Sequence, residues 1–524
     1  SIVATDAGDG SNASDFSGLG ALIVASDGAT VTVDSMDLTT EGFVRAAFIA
    51  DDQADIIVTD STITTLGADP LADIYADYEN NADTAKMISP PWVLGIQGGV
   101  RAGNMLGQQP SLSVVDSDVT SGSWAVLSTD SSSQPQMTVV DSALTILTEA
   151  EGGMTSGDFP YSDDYGSGYG TYLIGNANQD FYGVTFEGMT YAAIFAGGEA
   201  TYSSSNGSID LLDGEGNVLD TVEGDGDPTV IDVVWGFMSH GNADLDVLDG
   251  TQVNAEEAIF LYKGGSTDIE FDEAVLDSAS GIILQMIDND DATVGNESGV
   301  FNTEFSEDAG WPSENGNVTE AGSISSAATG DATDRPEPPE GFEPGEFPGE
   351  PPDGLEEGTV VGADGTAISA DSVSGQSGAQ VTVTLTNGDY DGDLYNGTGY
   401  YGQTGVPLTV TIGEGADLSG AISLTETRHI DENGEQNTYF TIEEYYYLGH
   451  VENRNYRNDT SEIAVIVDEG GIWEVTGESL LTSLTLGDGQ IVGVGGQDVE
   501  LTVDGERIDL LPGTYEGEIV LSLA

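Results

Sequence analysis

The fold is decided by a ten-residue pattern that recurs in the first part of the chain: Val31-Thr-Val-Asp-Ser-Met-Asp-Leu-Thr-Thr40, Ile56-Ile-Val-Thr-Asp-Ser-Thr-Ile-Thr-Thr65, Leu112-Ser-Val-Val-Asp-Ser-Asp-Val-Thr-Ser121 and Met137-Thr-Val-Val-Asp-Ser-Ala-Leu-Thr-Ile146. A fainter copy begins at Leu245. The interval from Val33 to Val58 is 25 residues, and so is the interval from Val114 to Val139. A constant period of this length indicates a repeat architecture, in which each copy adds one layer to a stack.

Within each copy, apolar and polar residues alternate, as they do in a strand with one buried side. The residues predicted to point inward are Val31, Val33, Ile56, Val58, Leu112, Val114, Met137 and Val139. Short apolar runs at 46–49, 124–127, 192–195 and 258–261 have the length of a second buried strand. Gly, Asn, Asp and Ser separate the strands and supply residues suited to turns. The sequence therefore predicts an all-β chain folded as a parallel β-helix, a solenoid interrupted by loop and hairpin insertions.

The predicted repeats divide the chain unevenly. Residues 1–300 carry the recognisable repeats, and residues 206–227 read as a protruding hairpin. Residues 301–358 lose the period and include a loop rich in Pro, Glu and Gly. Strand patterns return over 359–524, with a Tyr-rich insertion at about 387–460. We favour continuation of the same helix over a separate second domain.

The charge excludes several classes of partner. The chain of 524 residues has 93 Asp and Glu against 9 Lys and Arg, which gives a formal net charge of −84. Nucleic acids and anionic membranes bind through clustered basic residues, so neither is an expected partner. Cys is absent, and no apolar run approaches the roughly 20 residues of a membrane-spanning helix. Such acidity suits a salt-rich or calcium-containing exterior, so we expect an extracellular or cell-surface protein.

One acidic motif suggests calcium. In Asp389-Tyr-Asp-Gly-Asp393 the carboxylates of Asp389, Asp391 and Asp393 alternate around a Gly, which resembles half of a calcium-binding loop. The bidentate Glu of an EF-hand is missing, because the twelfth position is Tyr400. The three aspartates are therefore a candidate calcium site, with an ordinary acidic turn as the alternative.

The Tyr-rich insertion is the candidate binding surface. Its candidate interface residues are Tyr445, Tyr446, Tyr447, Tyr456, Arg454 and Arg457. Aromatic rings among polar groups stack on sugars or anchor protein interfaces, although the same rings could simply pack on the repeats. The three histidines, His240, His429 and His450, are too far apart in sequence to predict a metal centre, and His240 is expected to be a wall residue.

Some segments resemble a known family. Gly8-Asp-Gly-Ser-Asn12, Asp15-Phe-Ser-Gly-Leu19, Asp27-Gly-Ala-Thr-Val-Thr-Val33 and the stretch from Gly471 to Leu484 are similar to secreted or surface proteins of Gram-positive bacteria in the pectate-lyase-like superfamily. The resemblance implies a right-handed parallel β-helix and a Pro/Gly-rich insertion late in the chain. Members of that family are often labelled adhesin-like or carbohydrate-binding, so the resemblance is informative about fold and nearly silent about activity.

The sequence leaves three classes of function open. Relative to polygalacturonase-like hydrolases, Asp290-Asp291 and Ser239-His240-Gly241 occur in reversed order, and no Arg-x-Lys follows. We therefore expect a non-enzymatic structural protein that self-associates through the ends of the solenoid into a surface layer or head-to-tail fibre. An adhesin that binds a neutral glycan through the Tyr-rich region is the alternative. A polysaccharide-cleaving hydrolase or lyase is less favoured.

Overall fold

A computed structural model describes residues 21–42, 45–67, 100–122, 124–129, 134–153, 164–288, 378–399, 404–430, 449–458 and 460–524, together with the backbone of the short strands at 2–5, 303–304, 360–361, 367–368 and 440–441. Over these residues the regular structure consists of β-strands and two 3-10 helices, Glu149–Glu151 and Val494–Gly496. No helix in this part of the chain has the length and apolar character needed to cross a membrane. The Pro/Glu/Gly-rich loop lies outside the described residues. So do residues 431–439 and 442–448 of the Tyr-rich insertion.

The strands are numbered in chain order. Up to residue 153 they are β1 (Ile2–Thr5), β2 (Ile23–Ala25), β3 (Thr30–Asp34), β4 (Asp37–Glu41), β5 (Phe48–Asp51), β6 (Asp55–Thr59), β7 (Thr62–Leu66), β8 (Gly103–Leu106), β9 (Ser111–Val115), β10 (Asp118–Ser121), β11 (Trp124–Thr129), β12 (Gln136–Val140) and β13 (Ala143–Ile146). From 164 to 288 they are β14 (Gly168–Ile174), β15 (Asn178–Tyr182), β16 (Thr185–Ala196), β17 (Glu199–Ser203), β18 (Asn206–Leu212), β19 (Val218–Asp225), β20 (Val230–Ser239), β21 (Ala243–Leu248), β22 (Gln252–Ala255), β23 (Phe260–Tyr262), β24 (Thr267–Asp272), β25 (Val275–Ser278) and β26 (Ile282–Met286).

The later strands continue the numbering. They are β27 (Thr303–Glu304), β28 (Val360–Val361), β29 (Ala367–Ile368), β30 (Val381–Thr386), β31 (Asp389–Asp391), β32 (Asp393–Asn396), β33 (Leu408–Ile412), β34 (Asp417–Gly420), β35 (Ile422–His429), β36 (Phe440–Thr441), β37 (Val451–Asn455), β38 (Ile463–Val467), β39 (Ile472–Val475), β40 (Ser479–Leu486), β41 (Gln490–Gly493), β42 (Val499–Val503), β43 (Glu506–Ile508) and β44 (Gly513–Leu523).

Successive strands belong to three stacks, and the chain returns to each stack after passing through the other two. Stack 1 pairs β1, β4, β7, β10, β13, β16, β20, β22 and β25 in parallel, and a sheet of β31, β34, β39 and β41 continues the same position. Stack 2 runs from β2 through β5, β8, β11 and β14 to β26, β32 and β35. Stack 3 runs in parallel from β3 through β6, β9 and β12 to β40. Long strands β16 and β20 contribute to both stack 1 and stack 2.

The register places equivalent residues of successive repeats on top of one another. Val33 is opposite Val58, and Val114 is opposite Val139. The residues predicted to point inward are buried, except Val31 at the edge, which is half-buried. Because like residues stack, apolar ladders fill one continuous core between the three stacks. The prediction of an all-β chain with parallel strands is confirmed, and β24 pairs in parallel with β30 across the long intervening segment.

The Asp-Ser pairs of the second, third and fourth copies form corners between stack 3 and stack 1, and in the first copy Ser35 takes the left-handed position of the Asp. Asp60, Asp116 and Asp141 adopt left-handed backbone with φ of 48°, 47° and 44°, a conformation that Asp tolerates better than most residues. The following serines face inward and form a ladder. Ser117 Oγ accepts a hydrogen bond from Ser61 N–H at 3.0 Å and donates one to Val115 O at 2.7 Å. The repeated dipeptide thus combines a turn residue with a side chain that satisfies buried backbone groups.

The predicted hairpin is confirmed. Strands β18 and β19 pair antiparallel and lie against the outer side of stack 3. Ile209 and Leu211 of the hairpin pack on Val115 and Val140, whose side chains point away from the main core. The hairpin therefore buries apolar residues that stack 3 alone would expose to water.

The middle strands of stack 2 are buried on both sides. Every residue of β11 and β14 is buried, as in a parallel sheet with both faces covered.

At the carboxyl end of stack 3, β40 pairs antiparallel with β44, which pairs antiparallel with β42, and β42 pairs with β43. This meander covers the last parallel edge, and its own outer strand, β43, is short and exposed.

The serine ladder gives a matched pair of substitutions. Ser117→Ala removes the acceptor of the buried Ser61 N–H and should lower the free energy of unfolding by about 1–3 kcal/mol. Ser113→Ala, on the neighbouring strand β9, should be neutral or slightly stabilising, because Ser113 Oγ is buried and has no hydrogen-bond partner among the described residues. Thermal and urea unfolding would measure both. Equal destabilisation by the two substitutions would contradict the ladder.

Candidate functional site

The corner aspartates form a negatively charged column on the surface. The backbone N–H groups of Asp60, Asp116 and Asp141 each donate to a carbonyl of the next repeat, so the three corners stack directly. Gly183 occupies the same corner in the following repeat, and a Cβ there would lie 2.4 Å from Asp141 Oδ1. The glycine thus leaves space for the Asp141 carboxylate.

A fourth carboxylate reaches this column from the hairpin. Asp225 lies at the end of β19, and its backbone N–H donates to Asp141 Oδ2 at 2.9 Å. One oxygen each of Asp116, Asp141 and Asp225 lies within 4.8 Å of the other two. Asp141 Oδ1 is buried and has no hydrogen-bond partner within the described ranges. We call these three residues the aspartate triad.

The aspartate triad has the chemistry of a hard-cation site. Burial, followed by repulsion from Asp141, Asp60 and Asp225, raises the pKa of Asp116. Calcium takes six to eight oxygen ligands at about 2.3–2.6 Å, and carboxylates are its usual protein ligands. The triad would supply three of those oxygens and would need water for the others. A bound cation would also reduce the repulsion along the column.

The predicted calcium residues lie elsewhere. Asp389 and Asp391 are exposed on β31 on either side of the buried Tyr390, whereas Asp393 begins β32. Asp393 Oδ1 accepts a hydrogen bond from Ala421 N–H at 2.7 Å, and its Oδ2 accepts one from the Tyr395 hydroxyl at 2.6 Å. The set of three converging carboxylates found in the described part of the chain is the aspartate triad, not this one. Calcium binding at Asp389, Asp391 and Asp393 stays a prediction.

The predicted interface residues have different surroundings. Tyr445, Tyr446 and Tyr447 lie outside the described residues. Tyr456 is 43% exposed. Arg454 pairs with Glu452 at 2.7 Å on the surface.

Arg457 is a structural anchor of the carboxyl-terminal strands. Its Nη2 donates to the carbonyls of Leu481 and Ile519 at 2.9 and 3.2 Å, so its guanidinium joins β40 to β44. This contact fixes the carboxyl-terminal meander and leaves Arg457 less suited to bind a partner.

The structure brings the three histidines close together, although they are far apart in the sequence. His450 follows the insertion and lies edge-on to Trp235, with ring centroids 5.4 Å apart. Beyond the effect of burial, repulsion from His429 and Lys263 lowers the pKa of His450, and repulsion from Lys263 lowers the pKa of His240. His240 stacks on Tyr172, and neither of its ring nitrogens has a hydrogen-bond partner among the described residues. The chain has three histidines and two lysines, and four of these five residues lie together on stack 2: His240, His429, His450 and Lys263.

Burial keeps His240 and His450 uncharged at neutral pH. The pKa of His240 is lowered to about 4 by burial and then by Lys263, and the pKa of His450 is lowered to about 4 by burial, His429 and Lys263. Glu257 Oε1 lies 3.6 Å from His450 Nε2, and burial, with repulsion from Glu256, raises the pKa of Glu257 to about 7. Because burial favours the neutral form of both partners, this contact is a weak neutral one between about pH 4 and pH 7, and not an ion pair.

Sequence reasoning missed both the triad and the histidine cluster. Asp225 lies 84 residues from Asp141, and it reaches the triad only because the hairpin folds back on stack 3. One sequence signal for the triad was present, since Val115 and Val140 precede the corner aspartates where a solvent-facing strand would carry polar residues. Those apolar residues indicate a covering element near the corner.

Comparisons with known proteins add no assignment. Searches against protein-family profiles, curated proteins and solved structures find no match. The geometry described above is therefore the basis on which a function is proposed.

The aspartate column predicts a salt-dependent effect of substitution. In the presence of a chelator and at low ionic strength, Asp116→Asn should raise the thermal unfolding midpoint, because it removes repulsion from Asp60, Asp141 and Asp225. High salt should reduce the gain through screening. Asp118→Asn removes the same charge from the exposed first residue of β10 and is the matched control. A midpoint lowered by Asp116→Asn, or an equal gain from both substitutions, would contradict the account.

Glu257 predicts a pH dependence with a definite sign. Its folded pKa of about 7 exceeds the ordinary value of 4.5, so its favourable contribution is complete below pH 4.5 and is lost as pH rises through 7. Glu257→Gln should therefore flatten the fall in stability between pH 5 and pH 8. The difference in the free energy of unfolding should be on the order of 2 kcal/mol, a value reduced because Glu257 is partly exposed to solvent. Thermal unfolding across this range would measure the effect, with exposed Glu518→Gln as control. An unchanged pH profile in Glu257→Gln would show that Glu257 ionises normally.

Proposed function

We propose that the chain is a right-handed parallel β-helix that acts as a non-enzymatic structural column on an extracellular surface. The observation that carries the proposal is the third stack, a sheet of 15 strands whose parallel part runs from β3 to β40 with one strand per repeat. Each added repeat contacts its neighbours and extends the core in one direction. Such an architecture supplies length and stiffness, which are the properties of a stalk or spacer.

The outer surface supports an exterior location and a salt-rich setting. Asp244 is in register with Asp268, and Asp246 is in register with Glu270, so carboxylates stack between strands as the valines do inside. Burial, followed by Asp244, Glu270 and Asp268, raises the pKa of Asp246 to about 6. A surface that stacks like charges depends on dissolved or bound cations to limit repulsion.

The ends of the column determine how copies could associate. Within the described residues, β3 pairs only with β6 and leaves one parallel edge without a partner. The carboxyl end carries the antiparallel meander, and its outer strand β43 has every residue exposed and includes Glu506 and Arg507. Short charged edges resist pairing with another sheet. We therefore favour a column that is capped at its carboxyl end and contains one or two copies, over the head-to-tail fibre that the sequence alone favoured.

Negative-stain electron microscopy and sedimentation velocity, with and without calcium, test this function. Discrete rods that sediment as one or two copies are expected. Long filaments of the unaltered protein would contradict the capped column, and compact particles would contradict the column itself.

The capping role of the meander gives a separate prediction. Leu521→Glu places a charge at a fully buried position of β44 and should detach the meander, exposing the edge of β40 and producing larger assemblies. Ser522→Glu adds the same charge at the next, half-buried position and should leave the particle size unchanged. Sedimentation velocity would compare the two variants. Unchanged size in Leu521→Glu, with loss of β44 protection confirmed by hydrogen exchange, would show that the meander is not a cap.

A further inference from the structure

A groove of about 560 Å³ lies between the tip of the hairpin and the beginning of the stack 3 strands. Its volume falls in the range of small-molecule binding sites. Five primary amides line it, from Gln134, Gln136, Asn176, Asn178 and Asn242. Three carboxylates, Glu199, Asp244 and Glu215, complete its polar lining.

Contacts of the hairpin tip fix one wall of the groove. Gly214 lies so close to Gln109 that a Cβ would be 2.1 Å from the Gln109 carbonyl oxygen. Asp213 Oδ1 accepts hydrogen bonds from the N–H groups of Glu215 and Asn217 at 2.9 and 2.8 Å. The tip therefore packs against the turn that precedes β9, and a ligand would not need to order this wall.

Part of the lining is already used within the protein. Gln136 Nε2 donates to Asp180 Oδ2 at 2.8 Å, and Asn242 Oδ1 accepts from Ser266 N–H at 2.9 Å. The side chains of Asn176, Asn178 and Glu199 make no hydrogen bond to the residues that the structure describes. These groups, with the exposed Asp244, offer donors and acceptors to a ligand.

The lining selects the charge and shape of a ligand. None of the residues that line the groove is basic or aromatic, so the groove has no partner for an anion and no ring on which a planar ligand could stack. Amides both donate and accept hydrogen bonds, whereas carboxylates only accept. A molecule with many hydroxyl groups satisfies both, because each hydroxyl can donate to a carboxylate and accept from an amide.

We propose that this groove binds a neutral, hydroxyl-rich molecule of one or two sugar rings, through Asn176, Asn178, Glu199 and Asp244. The ligand could be a free disaccharide or the end of a longer glycan, since both present the same hydroxyl chemistry. The site goes beyond the structural role proposed above, and either proposal can fail while the other stands.

Titration calorimetry and saturation-transfer NMR with trehalose and with maltohexaose test the groove. A dissociation constant on the order of a millimolar is expected, and it should change little between low and high NaCl because the ligand is neutral. Binding of trehalose alone would indicate a free disaccharide as the ligand, and stronger binding of maltohexaose would indicate a glycan end. Failure of both neutral ligands to bind would overturn the proposal.

Three variants locate the binding. Asn176→Ala combined with Asn178→Ala should weaken binding at least about tenfold, and Asn176→Trp should fill the groove and abolish it. Gln490→Ala, which removes an exposed amide on stack 1, should bind as the unaltered protein does. Circular dichroism and electron microscopy would verify that the rods persist. Unchanged binding in both groove variants would overturn the proposal. So would salt-sensitive binding of the polyamine spermidine that displaces the sugar, because it would show that the carboxylates of the groove bind a cation.

Discussion

Parallel stacking in register is the constraint on which the rest of the structure depends. It places each residue directly against its equivalent in the next repeat, as Val33 is against Val58. Inside the column this repetition is favourable, because identical apolar side chains pack into ladders and exclude water. At the corners it repeats an Asp in left-handed backbone and a Ser that bonds the neighbouring repeat. Outside, the same repetition stacks carboxylates, and repulsion raises the pKa of Asp116 and Asp246 beyond the effect of burial.

The insertions modify this column where simple repetition would leave it incomplete. The hairpin of β18 and β19 covers Val115 and Val140, brings Asp225 to the corner aspartates and forms one wall of the amide-lined groove. The returning strand β37 lies beside β35 and brings His450 to Trp235 on stack 2. The meander after β40 covers the last parallel edge. The candidate sites of the molecule therefore lie where an insertion meets the repeats.

The sequence predicts the repeats well because their signal is local and periodic. Alternation around Leu112 and Val114 and a constant 25-residue interval are enough to predict buried parallel strands. Turn residues between Leu212 and Val218 likewise predict the hairpin. The sites could not be predicted in this way, because they depend on where an insertion docks. His240 and His450 are 210 residues apart in the sequence, and only the path of β37 across stack 2 brings them into one cluster.

Engineered disulfides test the register most directly, because the chain contains no cysteine. Asp268 and Thr382 are paired in register on β24 and β30, across the long segment between them, and neighbouring strands lie within disulfide distance. The variant Asp268→Cys with Thr382→Cys should form an intramolecular disulfide on oxidation, measured by loss of free thiols and by gel mobility. Asp268→Cys with Val383→Cys should remain reduced, because Val383 faces the core. Free thiols in the first variant, or a disulfide in the second, would contradict the in-register column.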